Sequence, residues 1–100
     1  MDLPLEIAEI ATRLAPVFHK YNVRKAVLFG SYCKGTATSN SDIDLLVDSG
    51  LRGMAYIGLL ATVQELFKQE IDMIDTTHLI PGSLLALEIQ EHGIIVYPQA

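Results

Sequence analysis

Two aspartates one residue apart, Asp42 and Asp44, open the run Asp42-Ile43-Asp44-Leu45-Leu46-Val47-Asp48. In a strand from Ser41 to Asp48 successive side chains alternate faces. Asp42 and Asp44 then project to one side with Cα atoms roughly 6.5 Å apart, while Ile43, Leu45 and Val47 point into a core. Carboxylates that close repel and raise each other's pKa unless a cation lies between them. The pattern has the look of a metal site. Upstream, ten residues separate Asp42 from the pair Gly30-Ser31, which ends an apolar run. Ser31 is placed to open a short helical turn whose unpaired N–H groups attract anions, and glycine lets a phosphate approach the backbone. Each pair alone is a weak signal, since aspartates at a strand end are commonly solvated edge residues. Asp48 shares the face of Asp42 and Asp44 but lies at the far end, where it caps a turn.

The elements that must hold these residues are legible in outline. Apolar residues Ile7, Ile10, Ala11, Leu14, Val17 and Phe18 recur at helical spacing and predict a helix from Leu3 to about Tyr21. Asp2 would cap it, Pro4 would sit in its first turn, and Pro16 would kink it or cut it short. Val23–Phe29 reads as a buried strand, and Gly35 to Asn40 as loop, with Cys33 a loop cysteine. After a turn at Ser49–Gly53, a second helix is expected from Met54 to Gln69, with Met54, Ile57, Leu60, Ala61, Val63 and Phe67 inward. Ile71–Thr76 alternates as a third strand. Pro81-Gly82-Ser83 announces a helix over Leu84–His92, closed by Gly93 in a left-handed cap, and Ile94–Tyr97 is a final strand. The order gives a small mixed sheet with helices packed against it.

Gly-Ser, ten residues, then Asp-x-Asp, with a buried strand before and Leu45-Leu46-Val47-Asp48 after, resembles the signature of the nucleotidyltransferase superfamily that includes DNA polymerase β. The likeness is to its minimal single-domain (MNT) branch. It covers nearly all of residues 1–100, to the closing Glu91-His92-Gly93-Ile94-Ile95-Val96-Tyr97-Pro98. The resemblance implies an α/β (α+β) fold and one nucleotidyltransferase domain. It also implies a third acid in a short hydrophobic strand, and Ile71-Asp72-Met73-Ile74 resembles that strand, with Asp75 turned to the other face. Asp42, Asp44 and Asp72 would hold two Mg²⁺ ions (Mn²⁺ is an alternative) and act in catalysis, since hard cations take carboxylate and phosphate oxygens. Gly30, Ser31 and Lys34 would bind the phosphates of ATP. The family often has arginine where Lys34 stands, and a lysine offers a point charge in place of a planar fork.

The stand-alone members that this sequence is most similar to are MntA-type antitoxins paired with a helical HEPN toxin. By that resemblance the chain would transfer AMP from ATP to a tyrosine hydroxyl of its toxin within a heteromeric complex. Two alternatives are an idle antitoxin that neutralises by docking, and a small-molecule (aminoglycoside-like) nucleotidyltransferase completed by a separate helical subunit. The absence of an acceptor domain counts against the latter.

Composition narrows the field further. Half the residues are hydrophobic and 19% charged, which argues against disorder. No apolar run approaches the ~20 residues that span a bilayer, and the acids before the first base do not suit a leader. A soluble, cytoplasmic protein with no membrane association is expected. The formal charge of −5 disfavours direct nucleic-acid binding. Cys33 is the lone cysteine, so no internal disulfide is available. His19, His78 and His92 carry no motif context, and Tyr32 and Tyr97 read as packing.

Overall fold

The computed structural model describes residues 5–98. In order these form α1 (Ile7–Lys20), β1 (Lys25–Phe29), α2 (Ser31–Lys34), β2 (Ile43–Asp48), α3 (Gly53–Glu65), β3 (Ile71–Asp75), a 3-10 turn (Thr76–His78), α4 (Leu84–His92) and β4 (Ile94–Tyr97). The expected succession of helices and strands is the observed one, with the 3-10 turn added. The strands lie side by side as β3-β2-β1-β4. β1 is antiparallel to β2 and β4, whereas β2 and β3 are parallel, so the sheet is mixed. A parallel pair needs a crossover, and α3 supplies it.

Strand alternation gives the sheet two unlike faces. On one, Ala26, Leu28, Ile43, Leu45 and Val47 meet Ile10, Leu14 and Phe18 of α1 and Leu59 and Val63 of α3, all in the main core. On the other, a smaller cluster joins Phe29, Leu46 and Ile89 of α4. The rings of Phe18 and Tyr97 meet edge to face at 5.4 Å, so Tyr97 packs as expected.

Several boundaries differ from the sequence reading. α1 begins at Ile7 with Glu6 as its N-cap; the Asp2 cap and Pro4 lie outside the described residues. Pro16 does not cut the helix short. Thr12, whose carbonyl loses its donor, and Pro16 itself are both exposed, so water can serve the freed group. β1 starts two residues later than expected because the Val23 amide closes back on Phe18 O at 2.9 Å. β2 likewise starts at Ile43, since the Ser41 amide turns back to Thr38 O at 3.1 Å.

α3 shows the largest departure. Met54 and Ile57, expected inward, are 80% and 55% exposed, and Ala61 is exposed; Leu59 is buried instead, while Val63 and Phe67 are buried as expected. The helix is apolar around most of its circumference, so hydrophobic spacing does not fix its rotation. Polar anchors do: the Tyr56 hydroxyl donates to Met73 O at 3.0 Å, and the Tyr21 and Thr62 hydroxyls meet at 3.1 Å. The helix stops at Glu65, short of Gln69. The Gln64 side chain then donates to Gln69 O and accepts from the Ile71 amide at 2.8 and 2.9 Å, steering the chain into β3.

α4 and β4 have the expected limits, and Ser83 caps α4 by accepting from the Ala86 amide at 3.2 Å. Gly93 is not left-handed: its φ is −63°. Glycine is required there for space, because a Cβ would press on Ile89 O and lie 2.7 Å from Val27 Cγ1. That close approach seats the end of α4 against β1.

Candidate active site

β1 ends at Phe29, whose ladder partner is Asp44 of β2. The next residue, Gly30, takes φ +78° and ψ −148°, a conformation open to glycine and strained for other residues. Space requires glycine as well: a Cβ on Gly30 would collide with the Asp44 carboxylate and lie 3.1 Å from its Cγ. Ser31 then opens α2, where the Cys33 amide donates to Gly30 O at 3.0 Å. The Gly-Ser pair and the second aspartate therefore form one locus, built where β1 and β2 meet.

β3 adds the third acid. Asp44 and Asp72 are register partners in the parallel ladder, and their carboxyl groups lie within hydrogen-bonding reach of each other. Half-buried Asp44 is pushed up to about 6, first by burial and then by the negative charges of Asp72, Asp42 and Glu88. Asp72 is exposed. Asp42 lies two residues ahead of Asp44, outside the strand and exposed, but close enough for its charge to be felt. The structure thus brings Asp44 and Asp72 together, with Asp42 at the rim.

Asp75 is elsewhere. It is 3% exposed and faces the opposite side of β3 from Asp72, as alternation requires. It accepts from the Ser49 amide and hydroxyl at 3.1 and 2.6 Å, and from the Thr77 amide and hydroxyl at 3.1 and 2.7 Å. Burial works against its charge, but these donors hold its carboxyl below the ordinary aspartate range. Asp48, at the far end of β2, lies 3.6 Å from Arg24.

α2 carries the other expected site residues. Lys34 ends it and pairs with Glu88 of α4. Cys33 is in this helical turn, not in a loop: its thiol donates to Leu28 O at 3.0 Å. Burial, with a further push from Asp44 and Glu88, raises its pKa, which keeps it a poor nucleophile. Tyr32 is buried in the main core, and His19, His78 and His92 are exposed. Sequence reasoning missed Glu88. Nothing in Leu87-Glu88-Ile89 marks it, and only the seating of α4 through Ile89 and Gly93 brings it to the site.

Among the described residues, no three histidine, cysteine, aspartate or glutamate side chains form a ready-made metal cluster. The oxygen-only donors fit a hard divalent cation such as Mg²⁺, which is commonly held by one or two carboxylates together with substrate phosphates rather than by an all-protein cage. No helix among the described residues is long and apolar enough to cross a membrane.

Residues 12–100 match the family model described as Polymerase beta, Nucleotidyltransferase. The chain belongs to that family. Two proteins of Methanocaldococcus jannaschii, each named "Putative protein adenylyltransferase", are similar to this nucleotidyltransferase. One is 30% identical over 77% of this chain and 85% of its own length, the other 31% over 91% and 95%. Among solved structures, a chain of a toxin–antitoxin crystal structure with AMP-PNP superposes with a TM-score of 0.72 at 22% identity, covering 89% of this chain and 73% of that one. A complex described as tri-AMPylated Shewanella oneidensis HEPN toxin with MNT antitoxin gives 0.64 at 16%, covering 93% and 73%. The fold is that of the polymerase β-like nucleotidyltransferases, and the chain is a nucleotidyltransferase.

Proposed function

We propose that this nucleotidyltransferase is a protein adenylyltransferase that moves AMP from ATP to a hydroxyl, that of a tyrosine, on a HEPN-type toxin, and so acts as its antitoxin. In this reading residues 1–100 work as one minimal domain. The observation that carries it is that Asp44, in register with Asp72, lies directly against Gly30 of the Gly-Ser turn. Carboxylates and a phosphate-binding turn are useful at one point only if a cation mediates between them. The names of the two M. jannaschii relatives and of the AMPylated complex support the choice of a protein acceptor.

Asp42, Asp44 and Asp72 would hold divalent metal, which when bound supplies charge neutralisation at the α-phosphate and lowers the pKa of the attacking hydroxyl. Gly30 gives the triphosphate access to the backbone, and the Ser31 hydroxyl donates to a β- or γ-phosphate oxygen. Lys34 adds a positive charge beside these phosphates when the nucleotide binds. The acceptor oxygen attacks the α-phosphorus, the bond to the β-phosphate oxygen breaks, and the hydroxyl proton leaves toward the Asp72 carboxylate at the exposed rim.

The test supplies ATP labelled at the α- or at the γ-phosphate, with Mg²⁺, to the chain and a HEPN protein encoded beside it. Label on the HEPN protein from α-labelled ATP alone supports the proposal. Label on a small molecule would replace it with the small-molecule reading. Neutralisation of the toxin with no transfer would leave a docking module.

A further inference from the structure

Within that reading, we propose that Glu88 is a positioning residue: it anchors the Lys34 ammonium at the open end of α2, where Lys34 meets the nucleotide's phosphates. Three features of the chain converge on it. Ile89, its neighbour, is buried against Phe29 and Leu46, and Gly93 lets the end of α4 come within van der Waals contact of Val27. Together they fix which way this turn of α4 faces. Glu88 is the more buried partner of the pair, its side chain 27% exposed against 47% for Lys34, so the acid is the fixed end and the lysine the adjustable one. The pair also joins α4 to a helix of only four residues, which has little else to hold a four-carbon side chain in one place.

An ammonium has three donors. One directed at Glu88 leaves two for phosphate oxygens, and a lysine held in advance loses less rotamer freedom when ATP binds. Glu88 also places its negative charge at the very point where the Lys34 ammonium would meet the phosphates. Without Lys34 it would therefore repel a triphosphate. Its effect on ATP should depend in sign on whether Lys34 is present, and a purely structural residue has no reason to behave so.

The experiment measures the dissociation constant of ATP with Mg²⁺ by equilibrium dialysis, and KM and kcat for transfer, in wild type, Glu88→Gln, Lys34→Ala and the double variant. Thermal unfolding of each checks the fold. Glu88→Gln alone should weaken ATP binding about fivefold, the effect of an ion pair worth ~1 kcal/mol, with kcat within about twofold because the pair acts before chemistry. In the Lys34→Ala background the same change should tighten ATP binding. Weakening of similar size in both backgrounds, or no change in either, would overturn the inference. Because dialysis reads binding without turnover, a chain that binds ATP but transfers nothing would sink the proposed function and still decide the role of Glu88. A wild type that does not bind ATP would overturn both.

Discussion

Under the proposed function, Asp44 is the residue at which activity and stability pull in opposite directions. Its carboxyl titrates at about 6 because it is half buried among other acids. A carboxyl with a raised folded-state pKa contributes stability that is present below the unfolded value near 4. That contribution is lost as pH rises through about 6. Metal-free protein should therefore lose stability between about pH 4 and 6 from this group. Asp44→Asn should recover ~1 kcal/mol at pH 7, a figure reduced for solvent screening at a half-exposed group, while lowering transfer by at least ~10²-fold. Denaturant unfolding of metal-free wild type and variant at pH 5 and 7 checks the first part. Gly30→Ala tests the neighbouring contact. With φ at +78° and the Asp44 carboxylate in the way of a Cβ, the variant should lose ~1–3 kcal/mol and most of its activity, both readable by chemical unfolding and label transfer.

At the scale of the element, the site depends on two parallel strands being held in register, and Asp75 and Gln64 hold β3 at its two ends. Asp75→Ala would strand the buried Ser49 donors and release Thr77, at a cost of ~2–4 kcal/mol in thermal or urea unfolding; Asp75→Asn should lose less, since it keeps one acceptor oxygen. The depressed carboxyl sets the pH dependence. Its contribution is present above the ordinary aspartate value and is lost as pH falls below it, so the excess stability of wild type over Asp75→Asn should shrink on acidification below about pH 4. These elements also show what the sequence made legible. Alternation in Ile43–Asp48 and Ile71–Asp75 was enough to separate Asp72 from Asp75, because each strand has one apolar face. The limits of α4 and β4 followed from Ser83 and Gly93 as punctuation. The rotation of α3 could not be read, since Met54 to Val63 has no polar side to face outward and the hydroxyls of Tyr21 and Tyr56 decide it through long-range contacts. Glu88 was hidden for a similar reason: its role depends on where α4 docks, which nothing local to Glu88 encodes.

At the scale of the whole molecule, the two faces of the sheet divide the labour. The face under α1 and α3 is apolar and carries the main core. The other is only partly covered by α4 and gathers acids along β2 and β3 that are unfavourable together until a cation joins them. Mg²⁺ should accordingly raise the apparent Tm of wild type, by an amount that rises with the logarithm of its concentration above the dissociation constant, and chelation should reverse it, with little response in Asp44→Asn; differential scanning fluorimetry across a Mg²⁺ titration reads this. In the proposed function Asp44 and Asp72, not Asp75, work with Gly30-Ser31 to move an adenylyl group. The most direct test is transfer of label from α-labelled ATP to the HEPN partner by wild type, Asp72→Asn and Asp75→Asn, at a temperature where all three are folded. Label should be lost with Asp72→Asn and kept with Asp75→Asn; full transfer by Asp72→Asn, or equal loss in both, would overturn this assignment.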